Sequence, residues 1–242
     1  MKSLNQYINE KLKVSKKQYN YYPKTREELD NLLDQLLKER GWEANLNDID
    51  TSNITDMSGL FTRYRTRIYK FKYNKNYNFS KFNGDISEWD VSNVTNMIDM
   101  FDSCEKLDCD LSNWDVSNVK NMGFMFYGCK SFEGKGLENW DVSNIINMYA
   151  MFESCEKLDC DLSNWDVSNV INMGFMFYEC KSFEGKGLEN WDVSNVRNME
   201  STFNNCKNLN CDLSKWDVSN LTNIKHMFDD CTIKEKYKPK FR

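Results

Sequence analysis

Residues Trp114 to Cys129 read W-D-V-S-N-V-K-N-M-G-F-M-F-Y-G-C, and their opening block returns along the chain. Trp-Asp-Val-Ser-Asn starts at Trp89, Trp114, Trp140, Trp165, Trp191 and Trp216, with spacings of 25, 26, 25, 26 and 25 residues. A degenerate copy, Ile49-Asp50-Thr51-Ser52-Asn53, precedes them. A fixed period of roughly 20–50 residues marks a tandem array whose units bury their apolar faces against one another. Pairs of units form a longer repeat. Ile98 to Met148 and Tyr149 to Met199 differ at only seven positions, among them Lys120 against Ile171 and Gly128 against Glu179. Such near-identity looks like a recent duplication.

One unit can be read residue by residue. Its apolar positions are Trp114, Val116, Val119, Met122, Met125, Phe126, Cys129, Phe132 and Leu137. The three-residue spacing from Val116 to Cys129 predicts a short helical or 3-10 segment. Asp115 to Asn118 is turn chemistry, because Asp, Asn and Ser side chains bond nearby backbone amides. The ladder Asp90, Asp115, Asp141, Asp166, Asp192, Asp217 is therefore expected to be held in Asx turns, since bare stacked carboxylates repel, with calcium between units the weaker alternative. Leu107 to Ser112 alternates apolar and polar, the pattern of a half-buried strand. Phe132 to Leu137 carries one extra residue and two glycines, which predicts a bulge-tolerant version of that strand. The resulting expectation is an α/β repeat solenoid, leucine-rich-repeat-like, of about seven coils. Its short parallel strands would repeat at about 4.8 Å.

The string V-x-N-M-x-x-M-F-x-x-C-x-x-L/F, followed by a short strand and W-D-V-S-N, resembles the BspA-like leucine-rich repeats. It is most similar to their DUF285 branch over about residues 49 to 231. The resemblance implies a right-handed solenoid with short strands and short helical segments. It also implies a surface protein or adhesin that binds other proteins, and a bacterial or phage origin. The surface members carry a signal peptide, a lipoprotein cysteine or a wall anchor. None of these is visible here.

The flanks are read as caps. Thr25-Arg26-Glu27-Glu28 is a capping box, Leu29, Leu32, Leu33, Leu36 and Leu37 form an amphipathic stripe, and Gly41 stops the helix. Residues 1–48 are thus expected to form a helical N-terminal cap, with a second short helix over Leu4 to Val14. The repeats span 49–233, and 234–242 is a basic tail. Met57 to Met97 is 40 residues rather than 25 or 26, so an insertion lies at about 62–81. It interleaves Arg63, Arg65, Arg67, Lys70 and Lys72 with Tyr64, Tyr69 and Phe71. That mixture can bind single-stranded nucleic acid by charge and stacking, or form a hairpin or enlarged coil. The structural reading is preferred, which makes nucleic acid the weaker partner.

Charge is unevenly placed. Residues 82–233 hold 11 Lys and Arg against 26 Asp and Glu, a net of −15, while the remainder is +10. On the strand register, the outward positions are Asp108, Asp110, Ser112, Glu133, Lys135, Glu138, Asp159, Asp161, Ser163, Glu184, Lys186, Glu189 and Asp212. This acidic face is the expected partner-binding site. It should repel nucleic acid and favour a basic protein, or the basic end of another copy in head-to-tail self-association.

Other classes are disfavoured. A single histidine, His226, leaves little for a Cys–His or Ser–His nucleophile. No G-x-S-x-G, H-E-x-x-H or P-loop occurs. The nine cysteines follow the repeat, so reduced core thiols are expected rather than disulfides. The C-x₄-C pair Cys104 and Cys109 occurs in alternate units only, so no metal and no cofactor is expected. No run of roughly 20 apolar residues is present, and the first ten residues lack an apolar export segment. The expectation is therefore a non-enzymatic, cytoplasmic scaffold for protein–protein interaction. The alternatives are an adhesin exported by another route, or nucleic-acid binding through the insertion.

Overall fold

In a computed structural model, residues 18–62 and 79–241 are described. The expected Leu4–Val14 helix lies outside them, as do the basic and aromatic residues Arg63, Tyr64, Arg65, Arg67, Lys70 and Lys72 of the insertion.

The repeat motif maps directly onto contacts between successive units. The tryptophan indole N–H donates to a backbone carbonyl of the preceding unit, as in Trp114 to Ile86 (3.0 Å) and Trp140 to Leu111 (3.1 Å). The motif asparagine donates from Nδ2 to the serine carbonyl one unit back, as in Asn118 to Ser92 and Asn144 to Ser117, both 2.8 Å. The cysteine thiol donates to the phenylalanine carbonyl one unit back, as in Cys129 to Phe101 (3.1 Å). The motif aspartate stays inside its own unit, where Asp115 Oδ1 accepts the Ser117 amide at 3.1 Å. That is the expected Asx turn. Val, Met and Phe fill one continuous core. Phe61, Phe101, Phe126, Phe152, Phe177, Phe203 and Phe228 stack face to face with centroids 5.5–5.7 Å apart. This step is wider than the about 4.8 Å of paired strands.

The secondary structure differs from expectation. The α/β class with short parallel strands is overturned, because no extended strand forms among the described residues. Parallel pairing is confined to eight isolated bridges, six of them along Asp56, Asn96, Asn121, Asn147, Asn172, Asn198 and Asn223. The chain between Met122 and Cys129 shows why. The amides of Met122, Phe124, Phe126 and Gly128 bond to the next unit, at Asn147, Tyr149, Met151 and Glu153. The intervening amides of Met125, Tyr127 and Cys129 bond three residues back. Phe124 and Gly128 are left-handed, with φ of 57° and 68°. Equivalent positions in other units are left-handed too, including Asp99, Ala150, Phe175 and Ser201. A left-handed residue every fourth position interrupts both strand and helix. Every amide is nevertheless satisfied, half of them by the neighbouring unit. The helical segment expected over Val116–Cys129 is thus a chain of tight turns.

Leu107–Ser112 keeps its alternating burial without becoming a strand. Side chains take two of the amides there: Asn83 Oδ1 accepts the Asp108 amide and Asp110 Oδ1 the Ser112 amide, while the Leu111 amide bonds to the Lys135 carbonyl of the next unit at 3.3 Å. The longer unit does not bulge. Its extra residue is absorbed by a 3-10 turn, Leu137–Asn139, entered through Gly136 at φ 95°. A Cβ on Gly136 would sit 2.3 Å from the Ser112 nitrogen, so only glycine fits. Leu188–Asn190 repeats the device after Gly187.

The helix α1, Arg26–Arg40, follows its sequence signals. Thr25 caps it by accepting the Glu28 amide, Glu28 in turn accepts the Lys24 amide at 2.6 Å, and the Gly41 amide closes on Leu37. Leu29, Leu33, Leu36 and Leu37 join the core of the first unit. At the other end the tail covers the last unit. Tyr237 O accepts the Leu213 amide at 2.8 Å, and Lys238 lies over the Phe228 ring. No helix among the described residues is long and apolar enough to cross a membrane.

Candidate functional site

The expected acidic face resolves into rows, each with one side chain per unit. In one row the signs alternate: Asp110 pairs with Lys135 at 2.7 Å and Asp161 with Lys186 at 2.6 Å. These lysines, with hydrogen bonds from Ser112 and Ser163, hold both aspartates down at about 2. Asp212 continues the row and accepts the Ser214 amide at 3.0 Å. A second compensated row joins Lys130 to Glu105 and Lys181 to Glu156, both at 3.2 Å. Glu138 and Glu189 turn back onto the amides of Gly136 and Gly187. What stays acidic is the middle row of Asp108, Glu133, Asp159 and Glu184, all exposed. The Asp108 and Asp159 carboxylates touch the amides of Glu133 and Glu184 at 3.3 and 3.4 Å. Among the described residues these four make no ion pair. Of the nine predicted acids, Asp110 and Asp161 are paired with lysines, Glu138, Glu189 and Asp212 accept backbone amides, and the row Asp108, Glu133, Asp159 and Glu184 is left exposed to solvent.

Two shallow clefts flank this face. One of about 460 Å³ is lined by Glu184, Lys186, Asn208, Asn210 and Cys211. The other, about 520 Å³, lies at the α1 end against Arg40, Trp42, Glu43, Lys81, Asn83 and Lys106. The nine cysteines are free, and six of them are buried. Burial pushes Cys109, Cys160 and Cys211 up to about 12, which leaves those thiols protonated and unreactive near neutral pH. His226 is exposed and pairs with Asp229 at 2.6 Å.

A second face was not foreseen. Phe124 and Tyr127 of one unit, Tyr149 of the next, and Phe175 and Tyr178 of the one after form an aromatic cluster, all half-buried. Tyr149 lies 5.2 Å from Phe124 and 5.6 Å from Phe175, ring centre to ring centre. A Cβ added at Gly174 would meet Tyr149 Cε2 at 3.2 Å, so the missing side chain there makes room for the ring. Beside the cluster, Ile146 and Ile171 are 46% and 43% exposed. Glu153 occupies the same place in its unit as Tyr127 and Tyr178 in theirs. No hydrogen bond or ion pair to its carboxylate is found among the described residues. Burial, with Glu179 nearby, pushes it up to about 7. Asp99, buried near Asp102 in an earlier unit, is pushed up to about 6 in the same way.

The signal for this face was already present in the seven differences between the two 51-residue copies. Six fall in one stretch of the unit, from the residue before the bridge asparagine to the residue before the cysteine. They are Ile98/Tyr149, Asp99/Ala150, Asp102/Glu153, Lys120/Ile171, Gly128/Glu179 and Ile146/Arg197. The seventh, Ile145/Val196, is a buried apolar exchange. From each cysteine to the following motif asparagine the copies are identical. The charged rows are thus duplicated unchanged, and divergence is confined to the aromatic side.

This architecture, units stacked in register and linked by motif side chains, defines a tandem-repeat protein. The chain belongs to the family described as Mycoplasma protein of unknown function, DUF285, matched over residues 28–158 and 129–240. The BspA-like part of the resemblance finds no match of its own. No curated protein and no solved structure matches the chain.

Proposed function

We propose that this protein is a non-enzymatic scaffold for protein–protein interaction, which docks a basic partner along its charged face. The observation that carries this reading is the exposed row Asp108, Glu133, Asp159 and Glu184, which makes no ion pair among the described residues, while lysines pair with Glu105, Asp110, Glu156 and Asp161 on either side of it. A stripe of exposed acids without ion pairs favours a complementary line of positive charge. The likeness to BspA-like proteins, mostly described as binders of other proteins, supports the same class. Six of the nine thiols are buried, and the carboxylates on this face recur in equivalent settings, which does not set apart a catalytic acid and base. Replacing the four acids by Asn or Gln and repeating a pull-down from the native host tests it. Loss of a basic partner, with capture by the parent chain falling as salt rises, supports the reading. Unchanged capture removes this face from consideration.

A further inference from the structure

We infer that the aromatic face centred on Glu153 is a second site, which takes an arginine side chain of a polypeptide partner. It is separate from the charged rows and does not depend on them.

Three observations converge. The first is shape. Tyr127 and Tyr178 stand one unit to either side of Glu153, while Phe124 and Phe175 flank the fully buried Ala150. Core rings in these units step by 5.6 and 5.7 Å, so the two aromatic pairs stand two steps apart. The Tyr149 ring, 5.2 and 5.6 Å from Phe124 and Phe175, fills the space between them and covers Ala150, so the accessible place is at half-buried Glu153, with Tyr127 and Tyr178 to either side. The second is charge. A half-buried carboxylate without a cation, beside Glu179, is unfavourable in the free protein. The third is internal divergence. Ala150, Glu153 and Tyr149 are all positions at which one copy departs from the other, although nearly everything around them was duplicated unchanged.

Arginine fits this combination better than lysine. Its planar guanidinium stacks on aromatic rings, is weakly hydrated, and meets a carboxylate through two parallel hydrogen bonds. A lysine ammonium is compact and strongly hydrated, and loses more on entering a half-buried site. Because repetition does not recreate the Tyr149, Ala150 and Glu153 combination elsewhere in the chain, the site marks one place along the stack.

The test is an NMR titration of the full chain at pH 8, where Glu153 is ionised, with a short Gly/Ser peptide containing arginine. A second peptide carries citrulline, the uncharged isostere, in its place. The arginine peptide should shift the Tyr149 and Tyr178 ring signals, and the citrulline peptide should bind about tenfold or more weakly. Glu153→Gln and Tyr149→Ala should each weaken arginine binding by about tenfold, while Glu133→Gln on the charged face leaves it unchanged. Glu153→Gln should also melt no lower than the parent protein, which separates lost recognition from lost folding. Equal binding of the two peptides, or undiminished binding by Glu153→Gln, overturns the inference. Binding abolished by Glu133→Gln instead also overturns it, and leaves the charged-face reading standing.

Discussion

The charged face and the aromatic face are built from the same units, yet duplication treated them differently. Asp110–Lys135 and Asp161–Lys186 are the same pair written twice, at 2.7 and 2.6 Å. Tyr149, Ala150 and Glu153 have no twin, because the other copy carries Ile98, Asp99 and Asp102 there. A periodic face offers the same contacts every second unit, so a partner could slide along it without loss. A face broken by unique residues defines one register. Repetition thus provides a general charged surface, and divergence provides an address on it.

The largest expected effect tests whether both faces hang on one core. Phe152→Ala removes the central ring of the stack, beneath Glu153 and between Phe126 and Phe177. It should cost about 3–5 kcal/mol and unfold both faces in one denaturant transition. Two separate transitions would break the comparison at its root. Trp140→Phe leaves the Leu111 carbonyl without its indole donor. That carbonyl keeps the Trp114 amide at 3.1 Å, so the lost hydrogen bond should cost about 0.5–1.5 kcal/mol, again in chemical denaturation.

Glu153→Gln sharpens the contrast. Burial and Glu179 hold the Glu153 carboxyl at about 7 in the folded chain, above its ordinary value. The folded state therefore binds the extra proton between those two values. Stability should rise as pH falls through about 7, and level off below the ordinary carboxylate range. At pH 8 the charged group is a burden, so the glutamine variant should be more stable. The gain is on the order of 1 kcal/mol once solvent screening of a partly exposed group is allowed for. It should vanish near pH 4 in parallel thermal melts. A variant less stable than the parent at pH 8 would show that Glu153 holds the fold instead. Lys135→Gln should have the smallest effect, since Lys135 is largely exposed and Asp110 partly so. The melting temperature should not change measurably, but Asp110 should titrate above its present value of about 2 by carboxyl NMR.

Much of this architecture was legible in the sequence. The period, the core positions Val116, Met122, Phe126 and Cys129, the Asx turn at Asp115 and the capped helix α1 each follow from local chemistry. The strand and helix assignments were not recoverable by periodicity. Alternating burial at Leu107 to Ser112 is equally compatible with a strand and with a turn whose amides are taken by Asn83 and Asp110. Nor does a Phe at position 124 announce a left-handed backbone, because that conformation is held by bonds from the next unit. The charged face was visible as a list of residues, but which acids stay uncompensated depends on lysines 25 residues away. The aromatic face was hidden in the differences between copies, where the repeats themselves draw the eye to what is shared.

By itself the sequence determined that 25- and 26-residue units repeat, which side chains each unit hides, and which residues bond locally within a turn. These follow from hydrophobicity and from short-range hydrogen bonding, both of which act over a few residues. Tertiary structure alone decided the backbone between those points and the pairing of charges across units. It also brought three aromatic units together around one carboxylate. Each of those depends on what the neighbouring unit presents, at a distance along the chain that no local pattern encodes.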